Sequence, residues 1–167
     1  MRPIALARTL AAALLATASW VACAQARFDF EQTRTLLPKT VLPSHYALAL
    51  QLDPARDRFD GRAMITLAVR EPVRAIVLHA RGLEASRLQL QTGPQRRVLK
   101  LTADNKQHTW RLTPTDGRPI ARGPHRLVID YRTLVNRSGE GLFRADYRIG
   151  GKPTSMLATQ LEAVHAR

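Results

Sequence analysis

The last nine residues, "TQLEAVHAR" (159–167), hold the side chains best suited to chemistry. On a strand, residues two apart point the same way, so Gln160 and Glu162 share a face. A carboxylate beside an amide oxygen is a good receptor for an ammonium group, which brings three donors and a positive charge. From spacing alone, an ordinary solvent-facing polar stripe accounts for the pair more simply. Glu162 and His165 also spell E-x-x-H, a spacing that supplies metal ligands on the helices of carboxylate-bridged di-iron bundles. Here it occurs once, at the end of a β-rich chain, and carries no metal assignment.

Other constellations fail on type or spacing. The histidines are His45, His79, His108, His125 and His165. None begins an H-E-x-x-H, and none pairs with another at helical ligand spacing. Nothing matches G-x-S-x-G. "GGKPT" (150–154) has neither the spacing of a phosphate loop nor a helix after it, so it reads as a hairpin turn.

The elements that must position Gln160 and Glu162 are strands. "HYALALQLD" puts Tyr46, Leu48, Leu50 and Leu52 on one face, and "GRAMITLAVR" does the same for Ala63, Ile65, Leu67 and Val69. "AIVLHA" is a short apolar strand, and "RLQLQ" alternates Leu88 and Leu90 with polar residues. "RVLKLTA" and "HTWRLT" form a hairpin around Asp104-Asn105-Lys106. "HRLVIDY" aligns Leu127, Ile129 and Tyr131, and "GLFRADYRI" and "TSMLATQLEA" complete the series. Turn signals separate the runs at Asp53-Pro54, Asp60-Gly61, Glu71-Pro72, Gly93-Pro94, Asp116-Gly117, Gly123-Pro124 and Gly150-Gly151. Short alternating strands at this spacing predict an all-β fold, an antiparallel β-sandwich. After the first residues, no stretch sustains a helical apolar period for three turns.

The first 26 residues stand apart. Arg2 and Arg8 precede an apolar stretch from Leu10 to Ala22, and Ala24-Gln25-Ala26 fits a small-x-small cleavage site. This predicts a helical signal peptide over 1–26 with cleavage after Ala26. Ala22-Cys23-Ala24 offers an earlier cut, and a retained anchor is the alternative. The stretch is too short and too poorly flanked for a stable membrane span. Residues 27–43 read as an extended lead-in, with Pro38 and Pro43 opposing helix, and 44–167 as the sandwich.

Cys23 is the only cysteine. A lipoprotein motif prefers Leu three positions before the lipidated cysteine, and Trp20 stands there, so lipid anchoring is a minor alternative. Without Cys23 the chain has no thiol chemistry and no disulfide. The expected location is therefore exported, periplasmic or secreted, with the fold held by its core alone.

Charge adds a restriction on partners. Lys and Arg number 26 against 13 Asp and Glu, a formal +13 at pH 7. The arginines are scattered singly, without a dense cluster or interleaved aromatics. That pattern predicts a solvated surface and no nucleic-acid partner.

The order of landmarks resembles the N-terminal domain of the zinc metallo-aminopeptidases of the aminopeptidase N family, which includes puromycin-sensitive aminopeptidase and leukotriene hydrolase. The matching segments are "LPKTVLPSHYALALQLDP", "FDGRAMITLAV", "IVLHARGLEASRLQL", "GPHRLVIDYRTLVNRSGEGLFRADY" and "MLATQLEAVHAR". They cover nearly all of the chain beyond the leader, in order. The resemblance implies a saddle-like β domain packed on a catalytic domain, with Gln160 and Glu162 holding the free α-amine of a peptide substrate. Leu161 stands where the family usually has Phe, and His165 falls at a variable position. The F-P-C-F-D-E-P, G-A-M-E-N and H-E-x-x-H segments that follow in the family are not in this sequence. The resemblance therefore implies a fragment truncated before its catalytic domain. Zinc would belong to the complete enzyme, with no cofactor bound by this chain, and the chain alone would be inactive. A stand-alone, non-catalytic binding module is the alternative, and a catalytic half on a separate polypeptide a third. An exposed apolar face around Met156 and Ala158 would favour a partner domain over an independent module.

Overall fold

The computed structural model describes residues 28–162. The expected helical leader, Cys23, Ala26 and His165 lie outside them. Two units divide the chain at Thr35/Leu36. In the described part of the first, Asp29 organises a turn: its carboxylate accepts the amide of Glu31 at 2.8 Å and its carbonyl that of Thr33 at 3.0 Å.

The second unit is all-β and antiparallel, with no helix among the described residues. Its strands are β1 (Val41–Gln51), β2 (Arg58–Val69), β3 (Ile76–His79), β4 (Leu83–Thr92), β5 (Gln95–Asp104), β6 (Thr109–Pro114), β7 (Gly123–Leu134), β8 (Gly141–Ile149) and β9 (Lys152–Gln160). Seven form one sheet in the order β1-β2-β7-β4-β5-β6-β3, and β8 and β9 pair separately.

The sheet folds over through β5, with β1 and β3 left as its two edges. Gln95–Val98 pair with β4, whereas Leu99–Asp104 pair with β6, so one strand serves two layers. The apolar faces expected from period two meet between these layers. Ala63, Ile65, Leu67, Leu127, Ile129 and Leu90 come from the β2-β7-β4 side. Leu99, Trp110, Leu112 and Ile76 come from the other, and Leu90 and Leu112 are fully buried. Burying each such side chain contributes about 1.5–3 kcal/mol, which a cysteine-free core needs.

Two turn signals of the sequence lie inside strands. Gly123 and Pro124 are the first residues of β7, where a proline costs little of the ladder. Asp60-Gly61 sits within β2, directly across from Arg132 and Tyr131. Gly61 is small because the Tyr131 ring lies over it: a Cβ there would meet the hydroxyl at 2.6 Å and Cε2 at 2.8 Å. The ring is held edge-on to Phe59, with centroids 6.4 Å apart, and partial burial raises the pKa of its hydroxyl. Gly61→Ala must push this ring out, at a cost of about 1–3 kcal/mol. The check is a fall in melting temperature that Tyr131→Ala in the same chain reduces.

The connection from β6 back to β7 is held by Arg97. Its guanidinium donates to both carboxylate oxygens of Asp116 at 2.6 and 3.0 Å, and to the carbonyls of Arg118 and Pro119. Hydrogen bonding from Arg97 lowers the Asp116 pKa from 3.8 to about 2. A carboxyl depressed in the folded state contributes stability above its unfolded pKa and loses it as pH falls through the folded value. Stability should therefore drop between about pH 4 and pH 2. Asp116→Asn should flatten that drop while lowering stability at neutral pH, read as urea midpoints above and below the window.

Candidate functional site

β8 and β9 form a hairpin of nine residues a side, paired from Gly141↔Gln160 to Ile149↔Lys152. Gly150 and Gly151 make its two-residue turn with φ of 54° and 80°, values that glycine adopts without strain. "GGKPT" is thus a hairpin turn, as its composition predicts.

The register sorts the hairpin into two unlike faces. One carries Phe143, Ala145, Tyr147, Met156 and Ala158, and ends in Gln160. Met156 is 46% and Tyr147 41% exposed, and Ile149, on the same face at the turn, is 62% exposed. The face is mainly apolar and partly exposed, with Thr154 and Lys152 sharing it towards the turn.

The other face is charged and tethered to the sheet. Arg144 donates to Asp146 at 2.8 Å and to the Ser155 hydroxyl at 3.1 Å. Arg137, in the loop before β8, joins Asp146 at 3.2 Å and Asp57, just before β2, at 2.7 Å. Arg144 closes the ring to Asp57 at 3.6 Å. Hydrogen bonding from Arg144 lowers the Asp146 pKa, and hydrogen bonding to Asp57 raises that of Arg137. Backbone bonds fix the same root: Asn136 donates to the Leu142 carbonyl at 3.2 Å and accepts from the Arg144 amide at 2.8 Å. Exposed pairs of this kind stabilise little individually, and together they link the hairpin to the residue that precedes β2. This ring is not legible in the sequence. Asp57 and Arg137 are 80 residues apart, and no local pattern joins them.

Gln160 ends β9, and Glu162 follows two residues later. The Gln160 Nε2 donates to Glu162 Oε1 at 3.4 Å, a long hydrogen bond between two exposed side chains. The structure therefore brings the pair together on one side of the chain. Glu162 forms no ion pair among the described residues, although cations outnumber anions twofold in this protein. Several carboxylates elsewhere are ion-paired: Asp130 with Arg62 and Arg87, Asp60 with Arg132, Glu84 with Arg58. These cross-strand pairs also neutralise arginines on the outer face of β2, β7 and β4.

No histidine among the described residues joins Gln160 and Glu162 in a hydrogen bond. His125 is buried and structural: its Nε2 donates to the Ala121 carbonyl at 2.8 Å, and the Thr92 hydroxyl meets Nδ1 at 2.7 Å. No group of three His, Cys, Asp or Glu among the described residues could hold a metal ion. The zinc that the resemblance implies therefore has no fitting ligand set in this part of the chain. No helix of the described residues is long and apolar enough to cross a membrane.

Comparison with known proteins agrees with this architecture. Residues 42–167 match the family model of the Peptidase M1 N-terminal domain. Aminopeptidase N of Acetobacter pasteurianus is 30% identical over 146 residues, covering 87% of this chain and 40% of that protein. Endoplasmic reticulum aminopeptidase 1 of Homo sapiens is 27% identical over 174 residues, 97% of this chain and 18% of that protein. Aminopeptidase M1-B of Oryza sativa subsp. japonica is 29% identical over 133 residues, 78% and 15% respectively. The chain thus spans less than half the length of these relatives. This chain belongs to the Peptidase M1 N-terminal domain family.

Proposed function

We propose that this chain is the N-terminal part of an exported zinc aminopeptidase, and that Gln160 and Glu162 receive the α-ammonium group of the peptide substrate. One observation carries the reading: Glu162 and Gln160 lie side by side at the end of the mainly apolar, partly exposed face of the hairpin. Glu162 has no cation of the described residues to neutralise it. An exopeptidase must recognise a charged N-terminus, and a carboxylate with a neighbouring amide oxygen supplies a charge and acceptors for its three N–H donors.

The exposed Met156, Tyr147 and Ile149 favour a partner domain over an independent binding module, because an isolated module gains nothing by leaving them in water. The partner is the catalytic half of the same enzyme. There the zinc would activate the water that cleaves the peptide bond. This chain's contribution is to orient the amine, with the leader ending at Ala26 directing export to the periplasm or medium.

The test uses the chain by itself. A short peptide with a free N-terminus, titrated to millimolar concentration, should shift the side-chain amide resonances of Gln160, and its N-acetylated counterpart should not. Equal shifts from both peptides, or none from either, would overturn the reading.

A further inference from the structure

We propose that the free edge of β1 joins two copies of this chain, strand to strand and antiparallel, about a two-fold axis at Leu48. β1 lies at the end of the seven-stranded sheet and is eleven residues long. Among the described residues, no backbone hydrogen bond links 43–51 to any element but β2. Edges of this length are usually blunted by lysine, proline, a bulge or a covering loop. Here Pro43 and a bulge between Pro43 and His45 guard only the first residues. From His45 to Gln51 the strand has no proline, no bulge and no Asp, Glu, Lys or Arg. The other edge, β3, is protected by being only four residues long.

Charge argues for a second copy as the occupant. In a chain of formal charge +13, two copies repel across most of their surface. Every other strand longer than four residues carries a charged side chain, and β1 carries none. It is also self-complementary. Pairing about Leu48 sets Tyr46 against Leu50 of the second copy, Ala47 against Ala49, and His45 against Gln51. Apolar side chains thus meet apolar ones on one face, and small or neutral polar ones meet on the other.

The inner face of the strand gains from such pairing. The bulge shifts the phase of β1, so Val41 faces inward before it and Tyr46, Leu48 and Leu50 do so after it. Their partners Ile65 and Ala63 are 7% and 8% exposed, yet Tyr46 is 56% and Leu48 61% exposed. The second layer stops short of β1 and leaves an apolar ledge along it. A second copy would continue that ledge with its own Leu50, Leu48 and Tyr46.

The experiment is sedimentation equilibrium of the purified chain over a wide concentration range, with hydrogen exchange at each concentration. The expected result is a reversible monomer–dimer equilibrium in which amides of 45–51 gain protection as the dimer forms. Leu48→Lys places two ammonium groups across the axis and should weaken the dimer by roughly tenfold or more. Leu48→Ile should leave it intact. Because Leu48 is mostly exposed, the lysine variant keeps the fold, checked by an unchanged circular dichroism spectrum. A monomer at every concentration overturns the proposal, and so does a dimer that Leu48→Lys leaves unchanged.

Discussion

Trp110→Ala is expected to lower folding stability by about 3–5 kcal/mol, a large share of the 5–15 kcal/mol typical of a whole domain. Trp110 is 4% exposed on β6, where it pairs with Leu78 of β3 and Ala103 of β5. It therefore fills the middle of the second layer, where it packs into the core built with β2, β7 and β4. Truncation removes the largest side chain of that layer and leaves a cavity that three short strands cannot close by collapsing. No cysteine of the described residues offers a covalent restraint to offset the loss. Urea unfolding should show a lower midpoint with an unchanged slope. A reduced slope would mean instead that the second layer is already loose in the native variant.

That layered core was legible because its signal is local. Ala63, Ile65, Leu67 and Val69 recur at every second residue, and the pleat alone puts them on one face. What period two cannot report is whether a face is covered. Tyr46, Leu48 and Leu50 share their face as expected, and they are exposed because cover depends on the width of a layer made by β5, β6 and β3. The Asp60-Gly61 pair shows the same limit at a single residue. A turn and a close approach both demand glycine, and only Tyr131, brought opposite by β7, decides between them.

The candidate site was legible in the same partial way. A spacing of two on a strand puts Gln160 and Glu162 on one face, but β9 ends at Gln160, and what joins the pair is the long hydrogen bond between their side chains. Their setting does not follow from spacing, because the apolar face beside them exists only once Phe143 is registered against Ala158. The ring of Asp57, Arg137, Asp146 and Arg144 that anchors this hairpin joins three separate parts of the sequence.

In a polypeptide that joins this domain to the catalytic half proposed above, Glu162→Ala is expected to lower kcat/KM by roughly ten- to hundredfold. That is the effect of losing one hydrogen bond to a charged group, about 1.5–3 kcal/mol. The substrate ammonium carries its charge both before and during the reaction, so the loss should appear mainly as a raised KM with little change in kcat. Glu162→Gln keeps the shape and one acceptor but removes the charge, and should fall between wild type and alanine. Gln160→Ala should cost less, because it removes a neutral acceptor and leaves the carboxylate in place. Burial sets the scale. In this chain Glu162 is exposed, so water screens it, and the amine binding proposed above should be weak. A domain seated on Phe143, Met156 and Ala158 would exclude that water and strengthen the same carboxylate without moving it. The effect of Glu162→Ala on amine affinity should therefore be larger in the joined polypeptide than in the isolated chain. An effect of equal size in both would mean that cover contributes nothing, and an unchanged KM in the joined enzyme would remove Glu162 from substrate recognition altogether.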